Sequence, residues 1–324
     1  MKQFLNRLWS QRNTLFLRIF YLPRNVFFVI FRFYLDRKII KKINYINLHN
    51  KNNEEISLNE IFLLTSFKID NEERCKILES STNINFENLH NSNIKVQVYD
   101  ASDDIYFKKN QEVFKNIKGI NLDYQSKKER LTTSYYNLLS QSKEKYFCSF
   151  FDDMPIVGLT REFLLASERL LRDFDGSIPI VIEQIIGYDC DHKNRQILFN
   201  CKNILFKNLN KKPLGIIKYG NVSFAILHNY HYGFFFNTII ARCDNYKNKL
   251  IWYMNKISQN SPHQIELAGM RKIGPVYQYV AVPLEVFALD LDYIHSKISI
   301  RKENYKARDL FVLFNKGYTK KCFD

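Results

Sequence analysis

The order of apolar runs along the sequence constrains the fold more than any other feature. Residues 60–67, 94–99 and 146–151 are rich in aliphatic and aromatic side chains and are predicted to be buried strands. Between them, residues 70–79, with Asp70 as the predicted N-cap, and residues 126–141 have helical patterns. Such an alternation predicts an α/β protein with parallel strands joined by right-handed crossovers.

Acidic residues stand at the ends of two of these predicted strands. Asp100 opens an acidic segment that continues to residue 104, and Asp152 and Asp153 follow the third strand. Because ligands of parallel sheets bind at the carboxyl ends of the strands, these groups are expected to face one crevice. Adjacent carboxylates repel each other, so they are either solvated or hold a cation. A divalent cation that carries a diphosphate would suit this edge.

The length and the cysteine pattern limit the class of protein. A chain of 324 residues with 46% hydrophobic residues can bury a substantial core as one large domain or two smaller ones. Its six cysteines include no Cys-x-x-Cys pair, and no secretory signal is evident, which indicates reduced thiols in the cytoplasm. Zinc-finger and disulfide-scaffold classes are therefore unsupported.

The positive charge is concentrated at the start of the chain. Of the formal net charge of +15, residues 1–44 carry ten Lys or Arg against the single acid Asp36, among many aromatic residues. The longest uncharged run there, 25–31, is far shorter than the roughly 20 apolar residues that span a bilayer. Basic and aromatic residues together suit the interface of an anionic membrane. A helical arm docked on the protein body is the alternative, and no recognition module supports a specific nucleic-acid partner.

Several segments resemble one known family in their order and spacing. Residues 62–74 (FLLTSFKIDNEER), 98–104 (VYDASDD) and 146–153 (YFCSFFDD) are similar to the donor half of the family 2 inverting glycosyltransferases, which have the GT-A fold. Residues 234–242, 265–274 and 280–283 resemble the acceptor half. The resemblance covers about residues 58–290. It implies a GT-A-like Rossmann-type α/β sandwich with a mainly parallel central sheet and terminal helical additions.

The resemblance also implies a site for a nucleotide-diphospho-sugar donor. Asp100 would accept hydrogen bonds from the nucleotide base, and Thr65 and Phe67 would line the same pocket. Phosphate contacts would come from Lys127, Lys128 or Arg130. These assignments are expectations carried over from the family.

Catalysis is expected to depend on a metal and a base. Asp152 and Asp153 would hold Mg²⁺ or Mn²⁺, which places Asp153 among the catalytic residues, and Glu266 would deprotonate the acceptor hydroxyl and give inversion. Met154 stands where the family often has a further aspartate, and Leu267 follows Glu266 where another acid is common. These departures keep a noncatalytic GT-A-like binding or scaffolding protein at the membrane as the alternative.

The sequence therefore predicts four segments and one main activity. They are a basic aromatic helical arm (1–44), a linker (45–57), a GT-A-like domain (58–290) and a basic C-terminal extension (291–324). The predicted activity is transfer of a hexose-type sugar to a surface glycan or a lipid-linked acceptor, as in polysaccharide biosynthesis. The expected location is the cytoplasm, peripheral on the inner face of the cell membrane. Besides the transferase and the noncatalytic binding protein, a third possible function is a module that binds a membrane or nucleic acid mainly through its basic face.

Overall fold

The structure, a computed structural model, describes residues 30–49, 58, 60–129, 131–182, 184–186, 213–228, 238–248 and 279–290. The chain divides into two units, Met1–Asn50 and Lys51–Asp324. In the first unit, residues 30–49 form helix α1, which continues past residue 44 into the segment predicted as a linker. None of the helices in the described ranges is long and apolar enough to cross a membrane.

The second unit opens with four strands that alternate with three helices. In chain order these elements are β1 (Ile61–Phe67), α2 (Glu72–Phe86), β2 (Lys95–Asp100), α3 (Asp104–Lys115), β3 (Asn121–Ser126), α4 (Leu131–Gln141) and β4 (Tyr146–Ser149). The described elements that follow are β5 (Ile156–Val157), α5 (Arg161–Asp173), β6 (Ile180–Val181), β7 (Gln184–Ile186), β8 (Gly215–Tyr219), β9 (Val222–His228), β10 (Ile239–Arg242), β11 (Tyr279–Pro283) and β12 (Phe287–Asp290).

Nine of these strands form the central sheet, in the order β3-β2-β1-β4-β10-β6-β11-β9-β8. The pairings among β3, β2, β1 and β4 and between β6 and β11 are parallel, and the others are antiparallel. Only β10 and β9 therefore run against the other seven strands. A smaller sheet has the order β5-β12-β7. The predicted Rossmann-type α/β class with a mainly parallel central sheet is confirmed.

Strand β1 lies in the middle of the parallel half and is buried along its whole length. On one face, Phe62 and Leu64 belong to an apolar cluster with Leu138 of α4. On the other face, Phe67 stacks on Phe114 of α3, with ring centroids 6.2 Å apart. Because helices cover both faces, the strand has a continuous apolar run rather than an alternating one.

Two predicted details between β1 and β4 were wrong, and two elements there were missed. The N-cap of α2 is Asn71, not Asp70, since the Asn71 side chain accepts a hydrogen bond from the Arg74 amide, N to Oδ1 2.9 Å. The helix predicted at 126–141 begins only at Leu131, because Ser126 ends strand β3. Helix α3 and strand β3 had not been predicted. The side chains of β3 are half-buried or exposed, so its residues give a weak apolar signal.

Candidate active site

The order of the strands places a reversal of winding at one edge of the sheet. From β1 the chain adds β2 and β3 on one side, and then returns to place β4 on the other side of β1. The direction of winding thus reverses between β1 and β4, and ligands of open α/β sheets bind at the carboxyl ends of the strands at such a reversal. Asp100 at the end of β2 pairs in register with Phe67 at the end of β1. Ser149 at the end of β4 pairs with Leu64.

The two adjacent aspartates occupy a tight turn just beyond β4. Phe151 and Met154 pair across this turn, and the Met154 amide donates to the Phe151 carbonyl, N to O 3.4 Å. Asp152 and Asp153 are the two residues at its tip, and Asp152 is only 8% exposed. Polar residues with short side chains suit such a turn. The aromatic run therefore ends in acids because the chain reverses there, at the edge where β1 and β4 present their carboxyl ends.

A cation already lies beside these aspartates, and it belongs to the chain itself. Arg74, in the first turn of α2, donates from Nη2 to Asp152 Oδ2 at 2.7 Å, and the same nitrogen is 3.9 Å from Asp153 Oδ2. The Arg74 side chain is 33% exposed. A guanidinium is always protonated in proteins, so its charge is permanent. Sequence reasoning missed this residue because it lies 78 positions before Asp152.

Asp100 is fully buried, and its carboxylate is held by donors from the protein. Oδ1 accepts from the Ser102 amide at 2.8 Å, and Oδ2 accepts from Asn110 Nδ2 at 3.1 Å and from the Tyr124 hydroxyl at 2.6 Å. Burial, and then the neighbouring Asp100 charge, raises the pKa of Tyr124, which keeps its hydroxyl protonated as a donor. Ser102 Oγ accepts from the Ile69 amide at 2.7 Å. These bonds tie the turn after β2 to β1, α3 and β3.

The other predicted donor-site residues surround this turn. Thr65 and Phe67 are buried, and Thr65 Oγ1 has no hydrogen-bond partner among the described residues. The Lys127 amide donates to the Asp100 carbonyl at 2.9 Å, and the Lys127 ammonium lies 5.8 Å from the centre of the Tyr99 ring. The structure thus brings Thr65, Phe67, Asp100 and Lys127 to one edge. Arg130 and Glu266 lie outside the described residues.

Beside Arg74, the described residues offer few ligands for the predicted Mg²⁺ or Mn²⁺. Within the described ranges, no three His, Cys, Asp or Glu side chains are grouped so that they could hold a metal ion. Asp152 and Asp153 are two carboxylates, and both lie within ion-pair distance of Arg74. Met154, the next residue, offers a thioether, whereas hard divalent cations prefer about six oxygen ligands.

Among known proteins, this chain is similar to solved structures, and the similarity is one of structure and not of sequence. No protein-family profile matches the sequence, and no curated protein matches it significantly. A mannosyltransferase from Pyrobaculum calidifontis, solved with GDP-Man and Mn²⁺, is similar over 80% of this chain and 65% of its own, with 10% identity and a TM-score of 0.41. S. aureus TarS 1-349 is similar over 69% of this chain and 57% of its own, with 12% identity and a TM-score of 0.37.

A nucleotidyltransferase is also among the similar structures. A cytidylyltransferase from Leptospira borgpetersenii is similar over 66% of this chain and 72% of its own, with 11% identity and a TM-score of 0.37. S. aureus TarS 1-349 has been solved with UDP-GlcNAc and with UDP. This chain thus spans 65% of the length of the mannosyltransferase and 57% of the length of TarS 1-349.

Proposed function

We propose that this protein is a glycosyltransferase that binds a nucleotide-diphospho-sugar at the carboxyl ends of β1, β2 and β4. The observation that carries the proposal is the winding reversal between β1 and β4, with Arg74 and the aspartate pair beside it. A reversal of this kind opens a crevice for a nucleotide. The sequence resemblance over about residues 58–290 supports sugar transfer as the reaction.

The proposed roles divide between donor binding and proton transfer. Lys127 and Arg130 contact the phosphates, while Asp100 holds the turn that forms the wall of the pocket and remains a candidate contact of the base. Glu266 accepts the proton of the acceptor hydroxyl. The acceptor oxygen then forms a bond to the anomeric carbon as the bond to the diphosphate oxygen breaks, which inverts that carbon and releases the nucleoside diphosphate. No step is assigned to a metal, because Arg74 already forms an ion pair with Asp152 and no third metal-ligating side chain is grouped with the aspartates in the described ranges.

Nucleotide binding is the first expected result. Titration calorimetry of the full chain with UDP, GDP, CDP and dTDP should detect one preferred nucleotide, as expected of a transferase that uses one donor. The matching nucleoside, which lacks the diphosphate, should bind at least about tenfold more weakly if cationic side chains hold the phosphates. A folded protein that binds none of the four nucleotides would refute the glycosyltransferase proposal.

Helix α1 supports a second element of the proposal, peripheral attachment to an anionic membrane on the cytoplasmic side. Phe33 and Tyr34 are 58% and 63% exposed, and Phe31 is 43% exposed. The same helix carries five basic residues against one acid, Asp36. Exposed aromatic side chains among cations are typical of helices that lie in the lipid interface. An acceptor linked to a lipid or to the cell surface would be reached from such a position.

Binding to lipid vesicles tests this element. The full chain should sediment with phosphatidylcholine vesicles that contain about 30% phosphatidylserine, and less with phosphatidylcholine alone. The triple variant Arg32→Gln, Arg37→Gln, Lys38→Gln should reduce binding by at least about tenfold, since each cation near an anionic surface contributes about 1 kcal/mol. A control with the same loss of charge replaces three exposed lysines of the second unit, Lys108, Lys115 and Lys118. Equal losses in both triple variants would argue against a role for α1.

A further inference from the structure

We propose that Arg74, rather than a divalent cation, neutralises the aspartate pair of the donor site, so that the protein binds nucleoside diphosphates without a metal. This inference rests on the proposed function, because it concerns the same site. It starts from the contact between Arg74 Nη2 and Asp152 Oδ2 at 2.7 Å and from the proximity of Asp153 at 3.9 Å.

Local structure holds Arg74 in this position. Its amide is bound by the side chain of Asn71, which caps α2, and so the first turn of the helix is fixed where β1 ends. Asp152 is nearly buried in the turn that follows β4. A buried carboxylate needs a partner of opposite charge or several hydrogen bonds, and Arg74 supplies the charge together with one hydrogen bond. The fold therefore holds the ion pair between Arg74 and Asp152 in place.

A divalent cation would have to compete with this ion pair. To reach Asp152 Oδ2 it would have to approach a permanently charged guanidinium, and the two cations would repel each other. If Arg74 moved away, the described part of the chain would still offer only two carboxylates in this turn, and no third metal-ligating side chain is grouped with them. A hard cation there would depend on the substrate phosphates and on water for its remaining oxygen ligands.

Arg74 also has the right chemistry for the diphosphate. The guanidinium has five N–H donors in a planar arrangement that matches phosphate oxygens, and a third of the side chain is exposed. It stands in the first turn of α2, where the helix dipole favours anions. The chain as a whole carries a net charge of +15, which draws anionic ligands toward it. The site would thus bind the diphosphate through a fixed cation of the chain.

Calorimetry with and without metal tests the inference. Full-length protein is titrated with UDP, GDP, CDP and dTDP, once in EDTA and once in Mn²⁺, and the dissociation constant of the preferred nucleotide should be the same in both. Arg74→Ala should weaken binding in EDTA by at least about tenfold, since a charge-assisted phosphate contact is lost. Lys76→Ala removes one charge from an exposed position of the same helix and should leave binding unchanged.

A double variant should change nucleotide binding in opposite directions, depending on whether Arg74 or a metal ion holds the diphosphate. Asp152→Asn with Asp153→Asn removes two negative charges near the diphosphate. If Arg74 holds the phosphate, this variant binds the nucleotide in EDTA at least as tightly as the wild type. If the aspartates hold a metal, it loses the binding that Mn²⁺ supports. This second variant keeps the test decisive if Arg74→Ala does not fold.

Each remaining outcome has one meaning. Binding by the wild type only in Mn²⁺ would overturn the inference and leave the proposed function intact. Binding in EDTA that Arg74→Ala does not change, in a folded variant, would also overturn it, because another group would then hold the diphosphate. Absence of binding to all four nucleotides in both conditions would overturn the proposed function itself.

Discussion

Replacing Asp100 with alanine is expected to lower the free energy of unfolding by about 3 to 5 kcal/mol. The carboxylate is fully buried and accepts hydrogen bonds from Ser102, Asn110 and Tyr124. Its removal leaves these donors without their acceptor, and buried donors that have lost their partner are costly. Urea unfolding of the full chain, followed by far-ultraviolet circular dichroism, measures the effect.

Two control variants distinguish the loss of the Asp100 hydrogen bonds from a general destabilising effect of mutation in this segment. Tyr124→Phe removes one of the three donors and should cost about 1 to 2 kcal/mol. Asp104→Ala changes an exposed acid in the same segment and should change the free energy of unfolding by less than about 0.5 kcal/mol. If Asp100→Ala cost less than about 1 kcal/mol, the carboxylate would not be what holds this turn.

The burial of Asp100 changes what its presence in the sequence motif means. The resemblance assigns it to the nucleotide base, and the structure gives it three protein donors instead of an open face. Lys127, just beyond the end of β3, donates its amide to the Asp100 carbonyl. The carboxylate can therefore serve the donor site by fixing the backbone that surrounds it. The contact with the base stays a prediction.

The sequence predicts β1, β2 and β4 well because these strands are buried on both faces. Strands β1, β2 and β4 lie within one or two residues of their predicted bounds. Strand β3 lies at the edge of the sheet, and its apolar residues Leu122 and Tyr124 alternate with polar ones, so it was missed. Helix α3 was missed with it. An edge strand contributes less apolar surface to the core, and the apolar pattern is the main signal available from sequence.

The candidate site could be predicted only as far as topology determines it. A parallel sheet brings the ends of β1, β2 and β4 together, so acids after those strands meet at one edge whatever their side-chain contacts. The partner of Asp152 does not follow from topology. Arg74 reaches Asp152 because α2 begins beside the turn after β4. The local sequence of neither segment indicates that the two lie close together. The predicted metal assignment was made without this arginine.

Replacing Glu266 with glutamine is expected to lower the turnover number by a factor of about 10² to 10⁴ and to leave nucleotide binding unchanged. Glutamine has nearly the same shape but cannot accept a proton from the acceptor hydroxyl, and the resemblance assigns this step to Glu266. The assay is release of the nucleoside diphosphate from nucleotide sugars that contain the nucleotide preferred in calorimetry. Glutamine at Glu79, an exposed acid of α2, is the matched control and should leave turnover unchanged.

The two readouts together separate the enzyme from its noncatalytic alternative. A Glu266→Gln variant that binds the nucleotide normally and has lost turnover identifies the base, because a structural defect would weaken both. Normal turnover in this variant would mean that another group accepts the proton. A wild-type protein that binds a nucleoside diphosphate yet turns over no nucleotide sugar, with glycan or lipid-linked acceptors present, would favour a GT-A-like binding or scaffolding protein. Binding and catalysis therefore have to be measured on the same preparations, since only their combination distinguishes these three cases.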